Sequence, residues 1–163
     1  MRTLIALMLF ATTPVAAGDS VLHRLRKDAL VAFKAGDYQK AFRLYKPLAE
    51  QGYAWAQYGL GVMYHEGNGV PEDYAKAVHW YTKGAKQGNA RAQNALGSQY
   101  DFGEGVPQNY AGAYALFSIT AAQGYKEGEK EKNSAAKLMT PAQITQGKKF
   151  ANKFWKKYVV PFQ

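Results

Sequence analysis

The chain repeats itself at a fixed interval of 36 residues, and that interval limits its fold more than any other feature. Ala56-Gln57 returns as Ala92-Gln93, Leu60-Gly61 as Leu96-Gly97, and Tyr64 as Tyr100. Gly67-x-Gly69-Val70-Pro71 returns as Gly103-x-Gly105-Val106-Pro107, Tyr74-Ala75-x-Ala77 as Tyr110-Ala111-x-Ala113, and Gln87-Gly88 as Gln123-Gly124. Further back, Tyr38, Ala41, Ala49 and Gln51-Gly52 precede Tyr74, Ala77, Ala85 and Gln87-Gly88 by the same 36. A period of this length marks stacked supersecondary units. None of them buries its apolar face alone, so neighbours must.

Each unit reads as two helices. The first runs from Ala54 to Tyr64, with small residues at 54, 56, 59 and 61. Gly67-Asn68-Gly69-Val70-Pro71 interrupts it, because glycines favour turns and proline lacks a donor. Glu72-Asp73 put negative charge at the start of a second helix, where the helix dipole favours it. That helix runs to about Lys86 and ends at Gly88, a glycine stop. Ala77 and Ala85 allow a close helix approach, while Tyr74, Val78 and Tyr81 supply bulk.

On these residues the chain resembles the Sel1-like repeat, a branch of the tetratricopeptide superfamily. The matching stretches are Ala-x-Ala-Gln-x-x-Leu-Gly-x-x-Tyr over 54–64, Gly-x-Gly-Val-x-x-Asp-Tyr-x-Lys-Ala over 67–77, and Trp80-Tyr81-x-Lys83-x-Ala85-x-Gln87-Gly88. The second copy departs at Leu116-Phe117, in place of Trp80-Tyr81, and at Gly112, in place of Lys76. The resemblance implies an all-α, right-handed solenoid of stacked helix-loop-helix repeats with a C-terminal capping helix. Residues 20–52 then form a plainer tetratricopeptide-like hairpin turning at Gly36-Asp37-Tyr38, with Pro47 inside its second helix. Full repeats follow at 53–88 and 89–124. Over 125–138 only traces of a first helix survive. Thr140-Pro141-Ala142-Gln143 is a capping box with proline at the first helical position, Met139 and Ile144 standing as a hydrophobic staple. Ile144, Ala151, Phe154, Trp155 and Tyr158 share one helical face. A capping helix over 140–159 follows, so 18–163 is one domain.

The N-terminus has a different character. Met1-Arg2, the apolar run Leu4–Ala11, Pro14 and then Val15-Ala16-Ala17-Gly18 are ordered as a secretory signal peptide, cleaved after Ala17 or Gly18. The run is shorter than the ~20 apolar residues of a membrane span. The chain contains no cysteine, which excludes a disulfide framework, thiolate metal sites and a thiol nucleophile. A cysteine-free exported domain suits a bacterial periplasm better than a eukaryotic secretory route.

Motifs that suggest chemistry are weak. Gly67-x-Gly69 and Gly103-x-Gly105 lack the third glycine and the preceding strand of a phosphate cradle, and read as hairpin loops. Ser134-Ala135-Ala136-Lys137 matches Ser-x-x-Lys, but the Ser-Asp-Asn and Lys-Thr-Gly elements that accompany it in β-lactam-reactive serine enzymes are missing. His23, His65 and His79 form no ligand pair with metal-site spacing. No catalysis, metal or other cofactor is expected.

Binding is expected instead, at positions that the repeat leaves free. Scaffold positions recur; those that vary at i, i+3, i+7 and i+10 of the first helices form a stripe. It reads Trp55, Tyr58, Val62, His65, then Arg91, Asn94, Ser98, Asp101, then Glu127, Lys130, Ser134, Lys137. First helices line the concave face in tetratricopeptide-like solenoids, so the resemblance implies that a protein or peptide partner meets this stripe. Trp55 and Tyr58 would alternatively pack on the preceding hairpin. A second surface is the basic end: Lys148, Lys149, Lys153, Lys156 and Lys157 crowd the last helix. With Lys+Arg 21 against Asp+Glu 12, these lysines are either the solvated side of the cap or a contact for anionic lipid, lipopolysaccharide or acidic glycan. Export makes nucleic acid an unsuitable partner. The resemblance implies adaptor or regulatory roles in envelope complexes.

Overall fold

Turn glycines and side-chain caps divide the middle of the chain into five helices of 13 residues each. A computed structural model describes residues 15–159 as eight helices. They are α1 (Val15–Lys34), α2 (Tyr38–Glu50), α3 (Ala54–Glu66), α4 (Tyr74–Lys86), α5 (Ala90–Phe102), α6 (Tyr110–Ala122), α7 (Lys126–Ala136) and α8 (Pro141–Tyr158). The expected leader lies, up to residue 14, outside the described residues, and α1 opens at Val15, ahead of both expected cleavage bonds.

The ends of the repeat helices follow their residues. Gly67 and Gly103, at φ 69 and 74, stop α3 and α5 in the left-handed region that glycine enters without strain. Asp73, Asn89 and Asn109 then cap α4, α5 and α6, each side chain accepting from a backbone N–H three residues on at 2.9 Å. The Gly-x-Gly loops are packing devices. A Cβ at Gly105 would collide with the Tyr74 carbonyl, and one at Gly69 would lie 2.9 Å from Tyr38 Cβ. Each loop thus rests on the start of the preceding repeat's second helix, since Tyr38 and Tyr74 are 36 apart.

Inside both full repeats a ring lies over a glycine. Cβ positions at Gly61 and Gly97 fall 2.5 Å and 2.6 Å from the rings of Tyr81 and Phe117. Ala56, Ala77, Ala85, Ala92 and Ala113 are fully buried around them, so the small residues serve as close-approach points. Between hairpins runs a polar ladder. Gln57 Nε2 donates to the Ala49 carbonyl and Gln93 Nε2 to that of Ala85. Gln87 and Gln123 in turn donate to Gln57 Oε1 and Gln93 Oε1. These amides give the Ala49 and Ala85 carbonyls a second donor beside the backbone N–H of Gly52 and Gly88, tying the end of one hairpin to the start of the next.

The last two helices complete the array. Residues 125–138 keep little of the repeat pattern, yet α7 is a continuous helix of 11 residues. Gly128, at the register of Ala92, lets it dock closely on α6, since a Cβ there would strike Thr120 Oγ1 and sit 2.8 Å from Ala121 N. The capping box of α8 is formed in full: Gln143 N donates to Thr140 Oγ1 at 3.3 Å and Thr140 N to Gln143 Oε1 at 2.8 Å. Ile144, Ala151, Phe154, Trp155 and Tyr158 are half-buried and the five lysines exposed, as the helical face requires. Helix α8 lies along α6, Gly147 meeting the Tyr114 ring and the Ala111 carbonyl.

Candidate interaction groove

Helices α1, α3 and α5, the first helices of successive hairpins, border a groove of ≈ 560 Å³. From α3 come Trp55, Tyr58 and Val62, with Gly59 at the floor. The Tyr45 ring of α2 presses on Gly59, whose Cβ position is 2.5 Å from it, and stands edge-on to Trp55 at 6.1 Å between centroids. From α1 come Arg26, Leu30, Phe33 and Lys34; the first turn of α5 gives Asn89, Ala90 and Arg91, and Tyr125 closes the far side.

Trp55 does both things that the sequence allowed, packing on Tyr45 of the preceding hairpin and lining the groove, whereas Tyr58 packs on Tyr81 within its own hairpin. Each presents a half-buried ring to the groove. Burial raises the hydroxyls of Tyr45 and Tyr58 above the usual tyrosine range, and the charges of Arg26 and Arg91 work against this. Both phenols stay protonated at neutral pH and can donate hydrogen bonds.

The groove takes only part of the expected stripe. Trp55, Tyr58, Val62 and Arg91 line it; the other positions do not. His65 Nε2 lies 3.2 Å from Glu104 Oε2, at the opposite end of α3. Asn94 is buried and occupied, its Oδ1 accepting from Thr120 at 3.4 Å and its side chain bonded to Glu131. Ser98 donates to the Asn94 carbonyl within its own helix. Asp101 is half-buried, whereas Glu127, Lys130, Ser134 and Lys137 are exposed on or just beyond α7. The contribution of α1 and Tyr125 was not expected. One signal existed for it: Arg26 stands 36 residues before Val62, at the same register.

Beyond the groove, α5 and α7 hold acids under strain. Burial raises Glu131 above the usual carboxylate range, Glu127 and Asp101 adding to it while Asn94 and Lys130 oppose. Burial also raises Asp101. Asp101 Oδ1 and Glu131 Oε2 are buried without a hydrogen-bond partner. An acid whose folded pKa is raised favours folding below its ordinary titration range, and that stabilisation is lost as pH rises through the raised value. Glu131→Gln is accordingly expected to raise the melting temperature at neutral pH, with the gain vanishing below the carboxylate range. Thermal melts of both proteins across pH check this, and an equal or lower melting temperature for the variant at neutral pH contradicts it.

The Sel1 repeat family matches residues 33–53, 56–89 and 90–125. Among solved structures, the chain is similar to c5321, a protective antigen of uropathogenic Escherichia coli strains displaying an SLR fold. That match has 27% identity and a TM-score of 0.81 and covers 85% of this chain and 30% of the other. A Sel1 repeat protein from Oxalobacter formigenes is 36% identical over 56% of this chain and 27% of its own, with a TM-score of 0.55. The chain thus spans less than a third of the length of either structure. No curated protein matches it.

Proposed function

The chain belongs to the Sel1 repeat family, and we propose that it is a non-catalytic interaction scaffold of the bacterial cell envelope, holding a partner protein or peptide in the groove across α1, α3 and α5. Solenoids of this family mediate protein–protein interaction, and a groove walled by half-buried aromatic rings and exposed cations suits that role. The carrying observation is Trp55 with Tyr58: two large rings kept partly in solvent at positions that the repeat does not fix. Interface hot spots are enriched in such residues and in arginine. Export to the periplasm rests on the order of residues 1–18 and on the missing cysteines.

A second reading has its own observation. Lys148, Lys149, Lys153, Lys156 and Lys157 are all exposed on α8, as a contact for anionic lipid, lipopolysaccharide or glycan would need. One experiment separates the two. The chain is recovered from periplasm, its N-terminus determined by mass, and its captured partner titrated against two variants at two salt concentrations. Trp55→Ala with Arg91→Ala is expected to weaken binding roughly thirtyfold, equivalent to about 2 kcal/mol. Glutamates at Lys149, Lys153 and Lys157 are expected to leave affinity nearly unchanged. Loss of binding in the lysine variant alone, together with collapse in added salt, moves the function to α8.

A further inference from the structure

The charges of the groove say what kind of segment it takes. Its lining carries three cations, Arg26, Lys34 and Arg91, and no carboxylate. All three are exposed. None forms an ion pair with a described residue; the pairs that form are His65–Glu104, Lys76–Asp73 and Lys132–Glu129. The Arg26 guanidinium lies 5.7 Å from the Trp55 ring centroid, held against an apolar face with its donors free to turn outward. Leu30, 42% exposed, adds aliphatic surface beside it. Positive charge and apolar wall therefore alternate along one channel.

Opposite charge guides the choice and orientation of a partner across such a surface. The width sets its form. Helices α3 and α5 are in contact, and a segment crossing from α1 past α3 to the first turn of α5 spans at least two helix diameters of about 10 Å each, which an extended chain covers in about six residues or more. The geometry points to an extended segment of a partner protein, of about six residues or more, whose Asp or Glu side chains meet Arg26, Lys34 and Arg91 while a neighbouring Phe, Leu or Trp side chain packs on Trp55 and Tyr58. This rests on the groove being the binding surface, and adds the chemistry that the groove selects.

The test uses random nine-residue peptides displayed on phage, inserted internally so that no peptide has a free C-terminal carboxylate. They are selected on the full chain, and Trp55→Ala removes those that do not need the groove. The selected peptides are expected to carry Asp or Glu beside an aromatic or large aliphatic residue. Synthetic copies blocked at both ends should bind about tenfold more weakly to a protein carrying Arg26→Gln, Lys34→Gln and Arg91→Gln. The same loss should follow from Asn or Gln in place of the peptide's acid, and from added salt. The replaced side chains are exposed, so circular dichroism should find the helix content of the parent. Trp55-dependent peptides that lack an acid, or that bind the triple variant equally, overturn the acidic segment and leave the groove as an apolar docking surface. A dimer in light scattering that disappears in the triple variant, with no peptide selected, makes a second copy the occupant and overturns it too. Selection of peptides all indifferent to Trp55 removes the groove itself, and with it the reading on which this one rests.

Discussion

Gly61→Leu is expected to lower the melting temperature by about 10 °C or more and to broaden the transition. A Cβ at this position would stand 2.5 Å from Tyr81 Cε1 and 2.6 Å from Cδ1, and leucine adds three more carbons. The ring cannot swing away. Tyr81 is only 3% exposed and packs with Ala77, Ala85, Ala92 and Leu96 in one cluster. Overpacking a tight core costs about 1–3 kcal/mol, and more where neither side can yield. Against a total stability of about 5–15 kcal/mol, this is a large share. Two controls isolate the cause. Gly97→Leu should behave alike, because the Phe117 ring lies over Gly97 in the same way. Tyr81→Ala should destabilise the parent, yet in the Gly61→Leu background it should cost far less, the non-additivity expected of residues in contact. Additive losses in that cycle, or a melt unchanged by Gly61→Leu, would contradict the ring-on-glycine packing.

That packing was half legible in the sequence. The interval of 36 residues places Gly61 and Gly97 at one register and Tyr81 and Phe117 at another, and small-against-large is a pattern that spacing can reveal. What spacing could not reveal is the role of the recurring glutamines. Gln57 and Gln93 bond backbone carbonyls of Ala49 and Ala85, and a carbonyl has no letter in a sequence. Helix α7 left only traces in the sequence, for the opposite reason. Its residues are mostly charged, so the apolar pattern fades, and two small buried residues, Gly128 and Ala135, do the docking. Only Trp55, Tyr58, Val62 and Arg91 of the stripe line the groove, because spacing along one helix does not tell which neighbouring helix covers it. By Asn94 the α5 surface already faces Thr120 of α6 and Glu131 of α7. The groove lies instead where α1 and α3 have, among the described residues, no such helix in front of them.

Deleting residues 140–163 is expected to abolish cooperative melting and drive aggregation, far beyond the effect of any change to the charges of α8. Helix α8 shields α6 on a face that carries Tyr114, 8% exposed, and Phe154 packs on the cluster that includes Leu116, 5% exposed. Exposing a fully buried large side chain costs about 1.5–3 kcal/mol. Tyr114 and Leu116, with the half-buried Ile144, Phe154 and Trp155 no longer present to cover them, put the loss at about 3–6 kcal/mol, a large share of the total of about 5–15 kcal/mol that stabilises a whole domain. Thr140→Ala provides the scale for a lesser injury. It removes one partner of the capping box and is expected to cost about 0.5–2 kcal/mol, leaving a cooperative but lower melt. Reversing Lys149, Lys153 and Lys157, all exposed, should barely move the transition. Melting curves of the three proteins, read beside light scattering, distinguish a structural cap from an appendage. If the truncated chain melts as the parent does, α8 contributes nothing to the solenoid. Its five exposed lysines would then need another explanation, and contact with an anionic surface would become the stronger account of them.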